Sequence, residues 1–252
     1  MTAGKLNGKV ALITGGSRGL GKAMALALAK EGAHLALVAR DETKLKIAAD
    51  EIKQAGGSAE YFLADVTLPA QVKAAEQAII ARFGRINILI NNAGINIRKP
   101  LTEYTLEEWH QVMNANLTSV YLMCHAFIPH MTGQNYGRII NLTSMMSHIA
   151  LPGRVAYCTS KAGLLGFTKA LALELAPHKI TVNGISPGPV ATEMNQVIIQ
   201  NPELNQQFLN SLPVNRWGKV EEIGALAAFL CSEDAGFITG TDILIDGGWT
   251  AR

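Results

Sequence analysis

A phenol and an amine four residues apart are the first groups in this sequence that suggest chemistry. Tyr157 and Lys161 lie in the stretch AYCTSKAG, residues 156–163. On a helix, a spacing of i and i+4 turns both side chains to one face. An ordinary tyrosine titrates at about pH 10, too high for proton transfer near neutrality. A neighbouring ammonium favours the phenolate and lowers that value. Such a pair exchanges a proton with a substrate oxygen when a hydride carrier is at hand. Taken alone, such a pair is more often a solvated helix face or a core tyrosine. The elements around it have to decide.

Apolar runs at 9–14, 34–39, 59–63, 86–91, 137–142, 180–186 and 242–246 read as strands. Between them, 19–31, 41–55, 69–83, 105–130, 156–176 and 221–231 read as helices. Several strands are near-continuously apolar, as in a parallel sheet buried on both faces. Strict βα alternation therefore predicts a doubly wound α/β fold with helices on both faces. Asp41 and Thr105 stand as N-caps, and Pro177 ends the long helix that starts at 156. With no internal repeat or linker, residues 1–252 are expected to form one domain. The longest connection, 187–220, is Pro/Gly/Asn-rich at its ends and polar, with helical character, in its middle. It is the expected lid over a site at the carboxyl ends of the strands.

Bulk composition excludes several classes. The chain has 252 residues, 48% hydrophobic and 17% charged, with a formal net charge of +2. That balance argues against disorder and against a nucleic-acid or membrane surface as partner. Three widely spaced cysteines, Cys124, Cys158 and Cys231, fit neither a disulfide framework nor a zinc site. The six histidines show no paired metal spacing, so no metal is expected. The opening stretch lacks a long apolar segment and no run reaches transmembrane length, so a cytoplasmic location is expected.

TGGSRGLG, residues 14–21, follows the first strand and opens the first helix. Gly15, Gly19 and Gly21 allow a tight turn and close backbone approach to a pyrophosphate at the helix N-terminus. The Gly-x-x-x-Gly-x-Gly spacing matches neither the ordinary Rossmann fingerprint nor a P-loop. This segment, NNAG at 91–94 and YCTSK at 157–161 together resemble the short-chain dehydrogenase/reductase family, along the whole chain to IDGGW at 245–249.

The resemblance implies a seven-stranded parallel sheet, a nicotinamide dinucleotide and a homotetramer. It implies catalytic roles for Asn116, Ser144, Tyr157 and Lys161. Ser144 is selected because the family's serine lies thirteen residues before its tyrosine. Asn116 would hold a water in a proton relay beyond Lys161, which would also reach the nicotinamide ribose. Gly15, Ser17, Arg18, Gly19, Leu20, Gly21, Arg40, Asp65, Val66, Asn92, Ala93, Gly94, Pro187, Gly188, Val190 and Thr192 would bind the cofactor. Asp65 would face the adenine, Asn92 to Gly94 the ribose, and Val190 and Thr192 the carboxamide.

Cofactor choice rests on the end of the second strand, LVARDE. An acidic residue there favours a ribose 2′-hydroxyl and arginine favours a 2′-phosphate. Ala39 stands at the acidic position, with Arg40 next and Arg18 in the glycine turn. The expectation is NADP, with NAD open because a small shift would bring Asp41 to the ribose.

For the small-molecule substrate, the motifs NNAGINIRKP and GRVAYCTSKAG are similar to the gluconate 5-dehydrogenase type. Arg98 and Arg154 are candidate ligands for a carboxylate. The alternative is a 3-oxoacyl-carrier-protein reductase, which expects arginines where Asn135 and His178 stand, although Lys179 and Arg138 are close by. A dinucleotide-binding sensor without catalysis is the third reading, and the intact Tyr/Lys/Ser/Asn set argues against it.

Overall fold

A computed structural model describes residues 4–251, apart from the side chain of Met194. Seven parallel strands run in the order β3-β2-β1-β4-β5-β6-β7. They are β1 (Val10–Thr14), β2 (His34–Ala39), β3 (Ser58–Leu63), β4 (Ile88–Asn91), β5 (Gly137–Leu142), β6 (Ile180–Pro187) and β7 (Asp242–Ile245). The apolar runs are explained by what lies on each face. In β1, Ala11 and Ile13 join one core layer and Val10 and Leu12 join the other. The first layer packs under α1 (Gly19–Lys30), α2 (Glu42–Gln54) and α9 (Val220–Cys231). The second packs under α3 (Pro69–Phe83), α5 (Ser119–Phe127) and α6 (Val155–Leu175).

Two expected boundaries move for physical reasons. β4 begins at Ile88 rather than 86, because the Val10 N–H bonds the Asn87 side chain (2.8 Å) instead of a strand carbonyl. The helix expected over 105–130 is divided. It starts as α4 (Leu106–Met113), passes through a π turn at Asn114–Thr118, and continues as α5. π turns widen the helix locally and often occur at functional sites. Here the turn contains the buried Asn116.

The caps form as read. Asp41 accepts from the Lys44 N–H (3.0 Å), and Thr105 and Glu108 make a reciprocal capping box. α6 ends at Leu175, two residues before Pro177. The middle of 187–220 is helical, with α7 (Gln196–Ile199) and α8 (Pro202–Asn210). Its two ends meet: Val190 bridges Gly218, and Gly218 N donates to Pro189 O (2.9 Å). No helix among the described residues is long and apolar enough to cross a membrane.

Candidate active site

The strand order reverses between β1 and β4, and open α/β sheets place their ligand crevice at that switch. The glycine turn follows β1 and NNAG overlaps the end of β4. Gly15 and Gly19 have φ of 64° and 54°, the left-handed region that favours glycine. A Cβ on Gly21 would stand 2.6 Å from Asn92 Nδ2 and closer still to the Gly15 carbonyl. α1 therefore begins tight against the turn. Its N-terminus has no side-chain cap and no acidic residue in the first turn. Orphan N–H groups and the positive end of the dipole are thus left to an anion. This is the cradle a dinucleotide pyrophosphate requires. Ser17 and Leu20 are half-buried within it, and Gly94 is exposed across the crevice.

Asn92 lies in the crevice wall, but both of its amide protons are engaged by the carbonyls of Thr14 (2.9 Å) and Gly15 (3.2 Å). Its side chain braces the glycine turn. Thr14 was not singled out from the sequence. Its hydroxyl accepts from the N–H groups of Asn92 (2.9 Å) and Ala93 (3.0 Å), so it joins the two crevice walls. A threonine immediately before the first glycine was the available signal.

Farther along, β2 ends at Ala39. Asp41 is turned back onto α2, and its carboxyl is held below the usual range by the Lys44 N–H and ammonium and, more weakly, by Arg18. Arg18 pairs with Glu193 at 3.3 Å and Arg40 with Asp65 at 3.6 Å, both arginines being exposed. Asp65 Oδ1 also accepts from the Thr67 N–H and hydroxyl, and Val66 beside it is buried. Gly188 is packed against Asp246, where a Cβ would come within 2.7 Å of the Asp246 Cβ. It follows Pro187, the last residue of β6. Val190 is buried, and Thr192 makes no side-chain cap bond.

Tyr157 and Lys161 project from the first turns of α6, with Lys161 Nζ 5.9 Å from the phenol ring centroid. Lys161 is buried and donates to the Leu142 carbonyl at the end of β5. Burial lowers its pKa to about 8, partly offset by the negative charge of Asp242. Burial also raises the Tyr157 phenol, against the lowering effects of the Ser144 hydroxyl and the Arg154 guanidinium. The net direction is upward, the reverse of the lowering expected from Lys161: the cations acting on the phenol are Arg154 and, more weakly, Arg98, while the Lys161 ammonium is turned to the Leu142 carbonyl.

Ser144 is buried and stands two residues beyond β5. It caps the short turn Met145–Ser147, its Oγ accepting from Met146 N at 3.1 Å. Asn116 reaches the same place from the π turn. Its Oδ1 accepts from Ile95 N (2.7 Å), and its Nδ2 donates to Ile95 O (2.9 Å) and Ser160 Oγ (3.0 Å). Both amide protons are engaged, so the carboxamide fastens the loop after β4 to α6, with one lone pair of Oδ1 left over.

Arg98 and Arg154 converge although 55 residues of sequence lie between them. Lys99 N donates to Gly153 O at 3.0 Å, tying the two loops together. The groups that act on Arg154 are Arg98, Tyr157 and Cys158, with no carboxylate among them; burial and Arg98 lower its pKa.

Comparison with known proteins fits this geometry. Residues 15–250 match a family model described as enoyl-(acyl carrier protein) reductase. A 3-oxoacyl-[acyl-carrier-protein] reductase of Haemophilus influenzae is 38% identical over 243 residues, covering 96% of this chain and 98% of the relative. A D-threitol dehydrogenase of Mycolicibacterium smegmatis is 38% identical over 248 residues, covering 98% and 95%. Among solved structures, a gluconate 5-dehydrogenase from Burkholderia cenocepacia, in complex with NADP and tartrate, superimposes with a TM-score of 0.93. It is 36% identical, with 98% of this chain and 97% of that chain covered. The chain belongs to the short-chain dehydrogenase/reductase family of oxidoreductases acting on CH–OH groups.

Proposed function

We propose that this oxidoreductase uses NADP to interconvert a secondary alcohol and a ketone on a small carboxylic acid, of the sugar-acid type. The carrying observation is the Arg98–Arg154 pair beside Tyr157, two guanidinium groups with no carboxylate among the described residues acting on the more buried one. Like charges held together are relieved by an anion, and guanidinium groups receive carboxylates bidentately. The relative crystallised with NADP and tartrate supports the same reading.

For the cofactor, the support is Ala39 at the position where an acid would select the ribose hydroxyl, with Asp41 engaged in capping. Arg18 and Arg40 flank that point. Their exposed pairs with Glu193 and Asp65 are weak interactions that a phosphate dianion displaces.

Bound NADP supplies or accepts the hydride at the substrate carbon. Tyr157 exchanges the proton at the substrate oxygen, and the Ser144 hydroxyl bonds that same oxygen. Lys161 and Arg154 stabilise the phenolate left after proton donation. Asn116 holds the floor of the site, and the segment 187–220 closes over it as a lid.

The test is a substrate screen with NADPH and NADH in parallel. Hydroxy acids or oxo acids should be turned over, with higher kcat/KM for NADPH. Arg154→Ala and Arg98→Ala should each raise KM for the acid on the order of tenfold, the loss of a charge-assisted hydrogen bond. Unchanged KM for every active acid would remove the carboxylate reading.

The 3-oxoacyl-carrier-protein reductase is the second reading, favoured by the Haemophilus influenzae relative. Of the two basic residues near the expected arginine positions, Arg138 is buried and bonds Ser232 O and Gly137 O, so only the exposed Lys179 is left to present a charge to an acidic carrier.

Homotetramer assembly is supported by exposed apolar side chains: Leu106 on α4, Tyr121 on α5, Leu173 on α6 and Phe237 before β7. A monomer in light scattering would refute it. Three free thiols fit a reducing, cytoplasmic location.

A further inference from the structure

Behind the acid/base group lies a second polar cluster that the reaction described above does not use. Asp242 opens β7 and pairs with Gly184 of β6. A Cβ on Gly184 would stand 2.9 Å from the Asp242 Cγ. Because Gly184 has none, the carboxylate passes over β6 and reaches the end of β5. There Oδ1 lies 2.5 Å from Thr143 Oγ1, and Oδ2 lies 2.6 Å from Ser186 Oγ and 2.6 Å from His148 Nε2.

Both hydroxyls beside the carboxylate have further neighbours. Thr143 Oγ1 is also near Ile185 O, and Ser186 Oγ near Ser144 O. Those two carbonyls already accept backbone N–H groups, from Thr143 and Ser147 respectively. The two hydroxyls also lie 2.9 Å from each other; an ionised Asp242 only accepts, so it can take a proton from either of them. His148 places Nε2, a ring nitrogen able to donate, against the same carboxylate. A carboxylate whose side chain is only 9% exposed thus has three donor-bearing groups within hydrogen-bond distance, from the end of β5, from β6 and from the turn after Ser144.

The donors surround the catalytic serine. Thr143 precedes Ser144, Ser186 touches its carbonyl, and His148 ends the turn that Ser144 caps. The field of Asp242 is also felt at Lys161. We propose that Asp242, held by His148, is a positioning residue that fixes the Ser144 turn and supplies negative charge behind Lys161. The inference rests on the reading of Ser144, Tyr157 and Lys161 as the acid/base group.

The titratable groups facing Lys161 are Tyr157 on its own helix and Asp242 from β7; His148 faces Asp242. Asp242→Asn keeps the shape and removes the charge. In ketone reduction, kcat per bound NADPH should fall on the order of tenfold, with KM for ketone and cofactor affinity within about twofold. The high-pH limb of kcat should move to lower pH, since Lys161 loses the charge that retains its proton. His148→Ala should give a smaller loss, and His148→Gln, which keeps a donor at that distance, should restore most of it. This pair decides the matter if Asp242→Asn does not fold. Wild-type kcat and pH profile in Asp242→Asn would overturn the proposal. So would fewer NADPH-binding sites with unchanged kcat per site, or His148→Gln no better than His148→Ala. Tyr157→Phe is measured alongside. Full turnover there overturns the acid/base reading itself, whereas an inactive Tyr157→Phe with an unaffected Asp242→Asn overturns the Asp242 role alone.

Discussion

Around the glycine turn, recognition is built from backbone. Gly15 and Gly19 adopt left-handed φ, Gly21 has no room for a Cβ, and the N-terminus of α1 is uncapped. On the other side of the acid/base group, Arg98 and Arg154 project from loops tied by one backbone hydrogen bond. Backbone geometry tolerates almost no substitution and serves a ligand whose phosphates never vary. Side chains on loops are exchanged without disturbing the sheet, and under the proposed function Arg98 and Arg154 serve the partner that differs among relatives. The relatives include a carrier-protein reductase and a threitol dehydrogenase at the same 38% identity.

The largest effect expected is on the group between these two regions. Tyr157→Phe should lower kcat by roughly a thousandfold or more, the scale of a lost proton-transfer group, while NADPH binding by fluorescence titration stays near wild type. Equal loss of both would merge the two regions into one. Gly21→Ala tests the backbone side alone. The added Cβ meets the Gly15 carbonyl and Asn92 Nδ2, so α1 must shift, at about 1–3 kcal/mol of stability. NADPH affinity should drop on the order of tenfold or more. A variant binding NADPH normally would show that the turn is looser than it looks.

Lys161→Met sharpens the comparison from the side of stability. The folded state lowers this amine from 10.5 to about 8. Between those values the unfolded chain binds more protons than the folded one, so stability attributable to this group rises with pH across that window. Below pH 8 the buried charge opposes folding. Lys161→Met should therefore be the more stable protein at pH 7, by on the order of 2 kcal/mol, and inactive. Its advantage in denaturant titrations should shrink as pH rises from 8 towards 10.5. A destabilised Lys161→Met would show that the bond to the Leu142 carbonyl outweighs desolvation.

Much of this was legible before any coordinates because it is local. The strands were visible because both faces of each are buried, which leaves no polar alternation to confuse the pattern. Asp41 and Thr105 announce their caps three residues ahead. Tyr157, Lys161 and the glycines carry their geometry in their spacing. What stayed hidden depends on partners distant in the chain. The π turn at 114–118 breaks no rule of helix composition; it shows only where Asn116 fastens Ile95 to Ser160. Asn92 was read as part of the ribose wall, and only the fold shows its amide engaged by Thr14 and Gly15. In the sequence Asp242 reads only as the first residue of the strand at 242–246. Its role depends on Gly184 lacking a side chain.

The bridge between Val190 and Gly218 closes a neck from which α7 and α8 are suspended. Such a neck separates the length of the excursion from the integrity of the sheet. Closing a longer or shorter loop changes the folding free energy only logarithmically. The segment can therefore be treated as an exchangeable cassette. Grafting the corresponding stretch of a relative between residues 191 and 217 would alter which molecules are admitted, while the hydride machinery beneath stays the same. A protease cut within it would leave both fragments fastened at the neck.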